Sequence, residues 1–530
     1  MKIKRLYHSF RQSTIWLFAL AIIVGLLMSL PFWHYWLGWT VLLILLPFFY
    51  LLKQLDVKKL SNRSKIGYIW VSGWVMLLGV TFWIMQTEPG RWTGLMGWLS
   101  ITLLILTYML FSLILSLGFV LFGIGWVKLK IRFEQKRVFL VLPALWIVCE
   151  WLRGWIFSII SIGPDSLTGP HWNFGNLGFA ASVTPLVFVG RFVGLLGISF
   201  IVVVINLCIY WLIQKRWKLP VIILASIFLF TLTSWYIYKT PTGPSINVLA
   251  LQFGVNQNRE IGSIDYHNYL ATIQPKEKLD IVVLPEYSSI FENDQKQADT
   301  LALSKLVRNS DTPIITSRQT TKNGKSFNTV TVYKNDSSII YEHDKNFLIP
   351  VGEAMPYAFS VPLALSKKDD VVKIREVSKG STDAQVYRTN GIVVGSQACS
   401  GAITPELYRN LVKSGAVVVT NSASLSIFET SQSYHNQAQQ MARFMAVANA
   451  RPFVQATDGS YSFILSSNGN WQKKSQQKNI QDISDTIQLN NTKTVYTIFG
   501  EWVFWVSLVL ITGQGIMVYK TSLNKKSLNK

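Results

Sequence analysis

Residues 95–127 read LMGWLSITLLILTYMLFSLILSLGFVLFGIGWV, a run of 33 residues without a charged side chain. A transmembrane helix needs about 20 consecutive, mostly apolar residues. The run contains no polar turn at which two spans could separate, so we expect one tilted or extended helix. This stretch indicates that the chain is an integral membrane protein.

The composition of the 530 residues supports a membrane protein over the other classes. Half of the residues are hydrophobic and only 15% are charged, against about 25% in a typical soluble domain. The net charge of +22 is compatible with nucleic-acid binding, but nucleic-acid binders seldom combine such a charge with this apolar content. Intrinsic disorder is excluded by the apolar content, and a disulfide scaffold is excluded because there are only three cysteines.

Seven further apolar runs bring the expected number of spans to eight. They are residues 14–30, 35–52, 66–85, 138–155, 192–213, 219–238 and 499–519. We therefore expect a membrane domain of seven helices at 1–239, a soluble domain at 240–494, and a last helix with a basic tail at 495–530. The run 138–155 carries Glu150 and Arg153. These two are expected to pair near the outer membrane face, as a structural ion pair or as part of a lipid entrance.

The basic residues predict the orientation of these spans. Twenty-one of the 50 Lys and Arg residues lie in the N-terminus, in every second loop and in the C-terminal tail, opposed there only by Asp56 and Glu134. By the positive-inside rule these segments are cytoplasmic. Both termini are then cytoplasmic, and the nearly neutral region 240–494, with 25 basic and 22 acidic residues, is extracytoplasmic. A cleaved signal peptide would also begin this way, but no A-x-A-like site follows, so we expect an uncleaved anchor.

The region 240–494 has the pattern of an α/β domain. Continuous Val, Ile and Leu runs are typical of strands that are buried on both faces. The expected strands include 246–253, 280–285, 313–317, 329–333, 338–341, 391–398 and 416–421. Residues 435–450 are rich in Ala, Met and Gln and predict a helix.

Three polar residues follow predicted strands and are candidates for a catalytic site. Cys399 is the only cysteine of the domain and precedes a Ser-Gly turn, so it is either a nucleophile or a buried structural thiol. Glu286 ends an apolar strand, where desolvation suits a general base; it could equally accept hydrogen bonds from loop N–H groups. Lys345 could be a solvated surface lysine. If the three strands belong to one sheet, the three side chains could meet at one edge.

Longer motifs make a family resemblance specific. They are Lys345-Asn346-Phe347-Leu348-Ile349-Pro350-Val351-Gly352-Glu353, Pro143-Ala144-Leu145-Trp146 with Glu150-Trp151-Leu152-Arg153-Gly154-Trp155, Gly194-Leu195-Leu196-Gly197-Ile198-Ser199-Phe200 with Asn206, Gln440-Met441-Ala442-Arg443 with Arg451-Pro452, and Phe499-Gly500-Glu501-Trp502. Together they resemble the apolipoprotein N-acyltransferase family, the membrane-integrated branch of the nitrilase (carbon–nitrogen hydrolase) superfamily. The resemblance extends over nearly the whole chain. It implies a helical membrane bundle joined to an extracytoplasmic α/β nitrilase-like domain with an α-β-β-α sandwich.

The chain departs from this family around the cysteine. The family's segment reads like C-Y-E-D-x-F-P-E, whereas this chain has Cys399-Ser400-Gly401-Ala402-Ile403-Thr404-Pro405-Glu406. The family's N-D-A-W-F-G loop is replaced by Asn421-Ser422-Ala423-Ser424-Leu425. The three candidate catalytic residues are thus retained, while the residues around them differ.

The resemblance implies roles for four residues and two membrane-embedded substrates. Cys399 would be the nucleophile, Glu286 the general base and Lys345 the oxyanion stabiliser, with Glu353 in support or simply capping a turn. The acyl donor would be a phospholipid, and the acceptor the N-terminal amine of a diacylglyceryl-modified lipoprotein at the bacterial inner membrane. We expect a monomer that binds no nucleic acid.

Other functions remain compatible with the sequence. A membrane-anchored amidase or an acyltransferase with another acceptor would also use such a cysteine, and a non-catalytic relative could retain the fold. A transporter is disfavoured because no inverted repeat is visible. We expect no cofactor and no metal, since the six histidines lack metal-ligand spacing and no Gly-rich phosphate loop occurs.

Overall fold

The computed structural model describes residues 14–58, 60–87, 97–253, 266–275, 277–288, 303–307, 311–350, 352–358, 360–361, 377–477 and 480–528. The basic N-terminal residues used above to predict orientation lie outside these ranges. The helices of the membrane half are α1 Thr14–Ser29, α2 Leu46–Val57, α3 Asn62–Val80, α4 Trp98–Lys128, α5 Val138–Ile160, α6 Leu177–Ala180, α7 Gly190–Ile213 and α8 Lys218–Ile237.

The predicted spans are found as long apolar helices. Among the described residues, seven helices are long and apolar enough to cross a membrane, or eight if one bent pair counts as a single span. That pair consists of the 3₁₀ helix Tyr35–Leu42 and α2, which meet at 44°. The run at 95–127 forms one continuous helix, α4, as its lack of a polar turn predicts. The fold class of the membrane half is therefore confirmed.

The second half contains twelve described strands and a few helices. In chain order these are β1 Ser245–Gln252, α9 Tyr266–Thr272, β2 Ile281–Glu286, β3 Ile314–Lys322, β4 Lys325–Tyr333, β5 Ile339–Asp344, β6 Val386–Thr389, β7 Ile392–Ala398, α10 Pro405–Lys413, β8 Val418–Ser424, α11 Gln432–Ala448, β9 Phe453–Asp458, β10 Phe463–Leu465, β11 Trp471–Lys474, β12 Gln481–Gln488, α12 Val495–Phe499 and α13 Trp502–Leu528.

These strands form two six-stranded sheets that pack face to face. The strand orders are β12-β1-β2-β3-β4-β5 and β11-β10-β9-β8-β7-β6. Side chains alternate along each strand, so Val248 and Ala250 of β1 enter the core between the sheets, whereas Leu249 and Leu251 pack on the outer face with α9. The arrangement is the predicted α-β-β-α sandwich.

The outer face of the second sheet is continuous with the membrane half. Side chains of α10, α11 and β8 belong to the same apolar cluster as the membrane helices. Three buried amides of α11 also donate hydrogen bonds to backbone carbonyls of the membrane half: Asn436 to Trp33 at 3.0 Å, Gln437 to Val80 at 2.8 Å and Gln440 to Pro31 at 2.9 Å. The α/β domain is thus packed onto the ends of the membrane helices through α11.

Candidate active site

Glu286, the last residue of β2, is held by two hydrogen bonds in a buried position. The side-chain amide of Asn328 donates to Oε1 at 2.6 Å, and the backbone N–H of Ser424 donates to Oε2 at 3.0 Å. Burial raises the pKa of the Glu286 carboxyl above its ordinary value, although Lys345 and the two hydrogen bonds oppose this. A carboxylate with a raised pKa is suited to accept and return a proton near neutral pH.

Lys345 follows β5 and is a buried, charged residue with a fixed partner. Its Nζ lies 2.7 Å and 2.9 Å from the two carboxylate oxygens of Glu353, and its backbone N–H donates to the carbonyl of Asn328 at 2.8 Å. Burial disfavours the charge, but Glu353 first of all, and then Cys399 and Glu286, outweigh burial and raise the pKa of Lys345. The ammonium group therefore remains protonated at neutral pH.

Glu353, the partner of this lysine, also bonds to the backbone of Ile349. Its carboxylate also accepts the backbone N–H of Ile349 at 3.0 Å, and its own N–H donates to the carbonyl of the same residue at 2.8 Å. Glu353 therefore bonds both to the Lys345 ammonium and to the backbone of Ile349, which is compatible with both roles considered for it.

Cys399 is the first residue of a 3₁₀ turn, Cys399–Ile403, that follows β7 directly. Its φ of +48° is rare for a non-glycine residue, and such strained residues often occur at functional sites. The thiol lies 3.8 Å from the carbonyl oxygen of Ser424. Burial and the charge of Glu286 raise the pKa of Cys399 well above its ordinary value, while Lys345 opposes the rise. The resting group is thus a neutral thiol that needs a base.

The three candidates converge, but from two sheets and not from one. Glu286 and Lys345 follow strands of the first sheet, and Cys399 follows β7 of the second. The expectation of a single sheet edge was wrong because the sheets pack face to face, which brings the ends of strands from both sheets to the same place. Ser424 links the two sides, since its N–H donates to Glu286 and its carbonyl accepts from Cys399.

The sequence did not single out Asn328 or Ser424 as parts of the site. Asn328 lies in the middle of β4, and its role depends on the pairing of β4 with β3 and β5. Ser424 lies in the segment that replaces the family's N-D-A-W-F-G loop. Its contacts to Glu286 and Cys399 are made by its backbone N–H and carbonyl groups. A residue of another type at this position could make the same contacts.

The divergent turn after Cys399 is accommodated by neighbouring side chains. The Ser400 hydroxyl donates to the carbonyl of Phe347 at 2.9 Å, which ties the turn to the lysine segment. A Cβ atom at Gly401 would lie 2.3 Å from Oε1 of Gln397. The Gln397 side chain therefore occupies the space into which a side chain at position 401 would project.

Aromatic side chains connect the cysteine to the membrane helices. Phe428 and Tyr434 stack at 4.1 Å, and both contact Trp83, which follows α3. Trp83 in turn contacts Phe111 of α4 at 6.2 Å. Burial, and to a smaller extent the neighbouring Cys399, raise the pKa of the Tyr434 phenol. This aromatic path gives the site an apolar wall that reaches the membrane spans.

Glu150 and Arg153 are buried but do not form the expected ion pair among the described residues. Glu150 accepts from the Trp146 indole at 2.9 Å and from the N–H of Leu177 at 3.1 Å, and Arg153 donates to the side chain of Asn176. The prediction of pairing was wrong because Glu150 bonds within α5 and to the start of α6, whereas Arg153 bonds to Asn176 just before α6. Within the described ranges there is also no cluster of His, Cys, Asp and Glu that could hold a metal ion.

Comparisons with known proteins find relatives of both halves of the chain. The model of the apolipoprotein N-acyltransferase N-terminal domain matches residues 24–208, and that of carbon-nitrogen hydrolases matches residues 262–496. An apolipoprotein N-acyltransferase of Photobacterium profundum is 23% identical over 95% of both chains. One of Shewanella oneidensis is 24% identical over 75% of this chain and 76% of its own. The crystal structure of a Helicobacter pylori carbon-nitrogen hydrolase is 17% identical, covers 46% of this chain and 89% of its own, and has a TM-score of 0.35.

Proposed function

The chain belongs to the apolipoprotein N-acyltransferase family, and from this premise we propose that it transfers an acyl chain from a membrane phospholipid to the N-terminal amine of a diacylglyceryl-modified lipoprotein. The observation that best supports this is the meeting of Glu286, Lys345 and Cys399 at a site that packs against the membrane helices. Such a position suits two substrates whose reacting groups both lie at the membrane surface.

In the first step Cys399 attacks the ester carbonyl of the phospholipid. Glu286 takes the thiol proton, the sulfur–carbon bond forms, and the negative charge moves to the carbonyl oxygen. Lys345 stabilises this oxyanion. One such donor lowers the activation barrier by about 3–4 kcal/mol. The carbon–oxygen bond then breaks, and Glu286 returns the proton to the leaving lysophospholipid alcohol. The product is an acyl thioester on Cys399.

In the second step the α-amine of the lipoprotein attacks the thioester. Glu286 accepts the proton of the amine, an amide forms, and the sulfur leaves and regains the proton as the Cys399 thiol. Glu353 keeps the ammonium of Lys345 in place through both steps, at 2.7 Å. Asn328 and Ser424 donate to the two oxygens of Glu286 and so fix the position of this carboxylate.

We also propose the topology that this chemistry needs. The α/β domain, residues 240–494, lies on the extracytoplasmic side of the bacterial inner membrane, and both termini are cytoplasmic. The distribution of basic residues supports this orientation. The protein acts as a monomer. Its positive charge determines the orientation of the spans and favours contact with anionic lipid, and it is not a nucleic-acid binding surface.

Lipoprotein N-termini from cells test the proposal. In cells that depend on this chain, mass spectrometry of lipoprotein N-terminal peptides is expected to find an amide-linked acyl chain. Cells with Cys399→Ala, expressed to the same level, are expected to have a free α-amine. Cys208→Ala is the matched control, because this cysteine is buried in α7 far along the chain from the site. N-acylation that persists in the Cys399→Ala cells would contradict the catalytic assignment. Free N-termini with a wild-type chain that still forms a thioester would favour a different acceptor.

A further inference from the structure

The last residues of three strands form a chain of contacts at the proposed active site. Glu286 ends β2, Ser424 ends β8 and Asp458 ends β9. Ser424 donates its backbone N–H to Glu286 at 3.0 Å, and its carbonyl accepts from the Cys399 thiol at 3.8 Å. Ser424 therefore contacts both the proposed base and the proposed nucleophile, so a side chain that fixes Ser424 affects both.

The carboxylate of Asp458 bonds to Ser424 and to the residue after it. Its Oδ2 accepts the Ser424 hydroxyl at 3.2 Å, and its Oδ1 accepts the backbone N–H of Leu425 at 3.1 Å. The peptide unit between Ser424 and Leu425 contains the carbonyl that accepts from Cys399. Because a peptide unit is planar, holding the Leu425 N–H also fixes the direction of this carbonyl.

Asp458 is itself held in place by both sheets. β8 and β9 pair in parallel, with Ser424 opposite Asp458, and Phe253, which follows β1 of the first sheet, pairs with Asp458 as an isolated parallel bridge. Gly459 has a φ of +68°, and a Cβ atom there would lie 2.5 Å from the Cα of Ser426. Glycine thus allows the segment after β8 to lie directly against the end of β9. The Asp458 carboxylate is therefore presented from a fixed backbone.

Asp458 could act on Glu286 in two ways, and these have opposite signs. The Ser424 N–H lowers the pKa of the Glu286 carboxyl, whereas a nearby negative charge raises it, as Glu353 does. In the described chain, the titratable groups that face Glu286 are Lys345, Glu353 and Cys399. Removal of the Asp458 carboxylate therefore raises the pKa of Glu286 if Asp458 acts by placing Ser424, and lowers it if Asp458 acts by its charge.

We propose that Asp458 is a positioning residue for the acyl transfer, which holds the end of β8 so that the Ser424 N–H meets Glu286 and the Ser424 carbonyl meets the Cys399 thiol. It acts through Ser424 and not on the reacting atoms. This role rests on the proposed function, since Glu286 and Cys399 have their parts in it as base and nucleophile.

The pH dependence of Cys399 alkylation tests this role without a lipid substrate. In the full-length protein the sulfur attacks the methylene carbon of iodoacetamide, iodide leaves, and Glu286 takes the thiol proton. Cys399 is partly exposed, whereas Cys149 and Cys208 are buried. The rate constant of alkylation at Cys399 is measured by mass spectrometry from about pH 5 to pH 9, and kcat/KM for N-acylation is measured over the same range.

Asp458→Ala removes both side-chain contacts. The acid limb of both profiles is expected to move up by about 0.5–1 pH unit, less than the 1–2 units expected for complete loss of a hydrogen bond to a charged group. Asp458→Asn is expected to restore the parent profile, because its carbonyl oxygen can accept the Leu425 N–H and its NH₂ can donate to the Ser424 hydroxyl. Asp280→Ala is the matched control. Asp280 accepts a backbone N–H at 2.8 Å just before β2, at the opposite end of that strand from Glu286. This control is expected to lower the thermal midpoint and to leave the acid limb in place.

A lower thermal midpoint in Asp458→Ala with an unmoved acid limb would overturn the positioning role. A downward shift would assign the effect to charge and would overturn it as well, as would equal profiles for Asp458→Asn and Asp458→Ala. If Asp458→Ala does not fold, Ser424→Ala, which removes only the hydroxyl contact, carries the same test: a smaller upward shift is expected, and an unmoved limb would overturn the proposal. A parent chain without N-acylation would contradict the proposed function, and the alkylation profiles would still decide on Asp458.

Discussion

Replacement of Asn328 by leucine is expected to shift the pH dependence of catalysis. The Asn328 amide is fully buried and donates to Glu286 at 2.6 Å, so it stabilises the charged form of that carboxyl. Burial already raises the pKa of Glu286, and this hydrogen bond is one of the interactions that lower it. Without the bond the pKa rises further. The base is then protonated up to a higher pH, and activity at low pH is lost.

The size of the shift follows from the strength of the bond. A hydrogen bond to a charged group contributes about 1.5–3 kcal/mol, and one pKa unit corresponds to about 1.4 kcal/mol. The acid limb of the pH profile is therefore expected to move up by about 1–2 units. The bond from the Ser424 N–H to the other carboxylate oxygen remains in the variant, so the geometry of Glu286 should be largely kept.

The assay is kcat/KM for N-acylation of a diacylglyceryl peptide in phospholipid vesicles, from about pH 5 to pH 9. Asn421→Leu is the matched control, because the Asn421 amide is also buried but donates to Gln455 at 3.0 Å. The control is expected to keep the acid limb of the parent. If Asn328→Leu lowers activity equally at every pH, with an unmoved acid limb, Asn328 does not tune the base.

Three further substitutions test other parts of the site. Lys345→Met is expected to lower kcat by about 10²–10³, the loss typical for one oxyanion donor; a near-normal kcat would exclude that role. Gly401→Ala places a Cβ 2.3 Å from the Gln397 side chain, and we expect a loss of about 1–3 kcal/mol in unfolding free energy that an added Gln397→Ala largely restores. Additive effects in that double-mutant cycle would refute the contact. Glu501→Gln removes one of the two oxygens that accept α7 N–H groups. We expect the free energy of unfolding to fall by about 1–3 kcal/mol, seen as a lower thermal midpoint, and an unchanged midpoint would contradict this role of Glu501.

Sequence patterns predicted the apolar helices and seven of the twelve described strands, whereas β6 and β9 to β12 were not predicted. Uninterrupted apolar length predicts α4 as one helix, and runs of Val and Ile predict most strands that carry the site, including β2 and β7. The bend between the 3₁₀ helix Tyr35–Leu42 and α2 lies inside one apolar run of the sequence, and the local signal near it is Pro47, the second residue of α2.

The site itself was only partly predictable, because its completion depends on contacts between distant segments. Glu286, Lys345 and Cys399 stand at strand ends and belong to recognisable motifs. Asn328 reaches the site because of strand pairing, and Ser424 contributes a backbone group. Neither contribution can be predicted from the residue type alone. The polar residues of α11 likewise resemble a solvated helix face in sequence, but several are buried where they bond to carbonyls of the membrane half.

The most direct measurement of the central claim is the intact mass of the protein after incubation with phospholipid vesicles and without a lipoprotein acceptor. The wild-type chain is expected to gain the mass of one acyl group, located on Cys399 and released by hydroxylamine, as a thioester requires. The gain should disappear in Cys399→Ala and when a diacylglyceryl peptide is added, because the peptide amine takes up the acyl group. A wild-type chain that gains no acyl group, or a Cys399→Ala chain that gains the same one, would contradict acyl transfer through this cysteine.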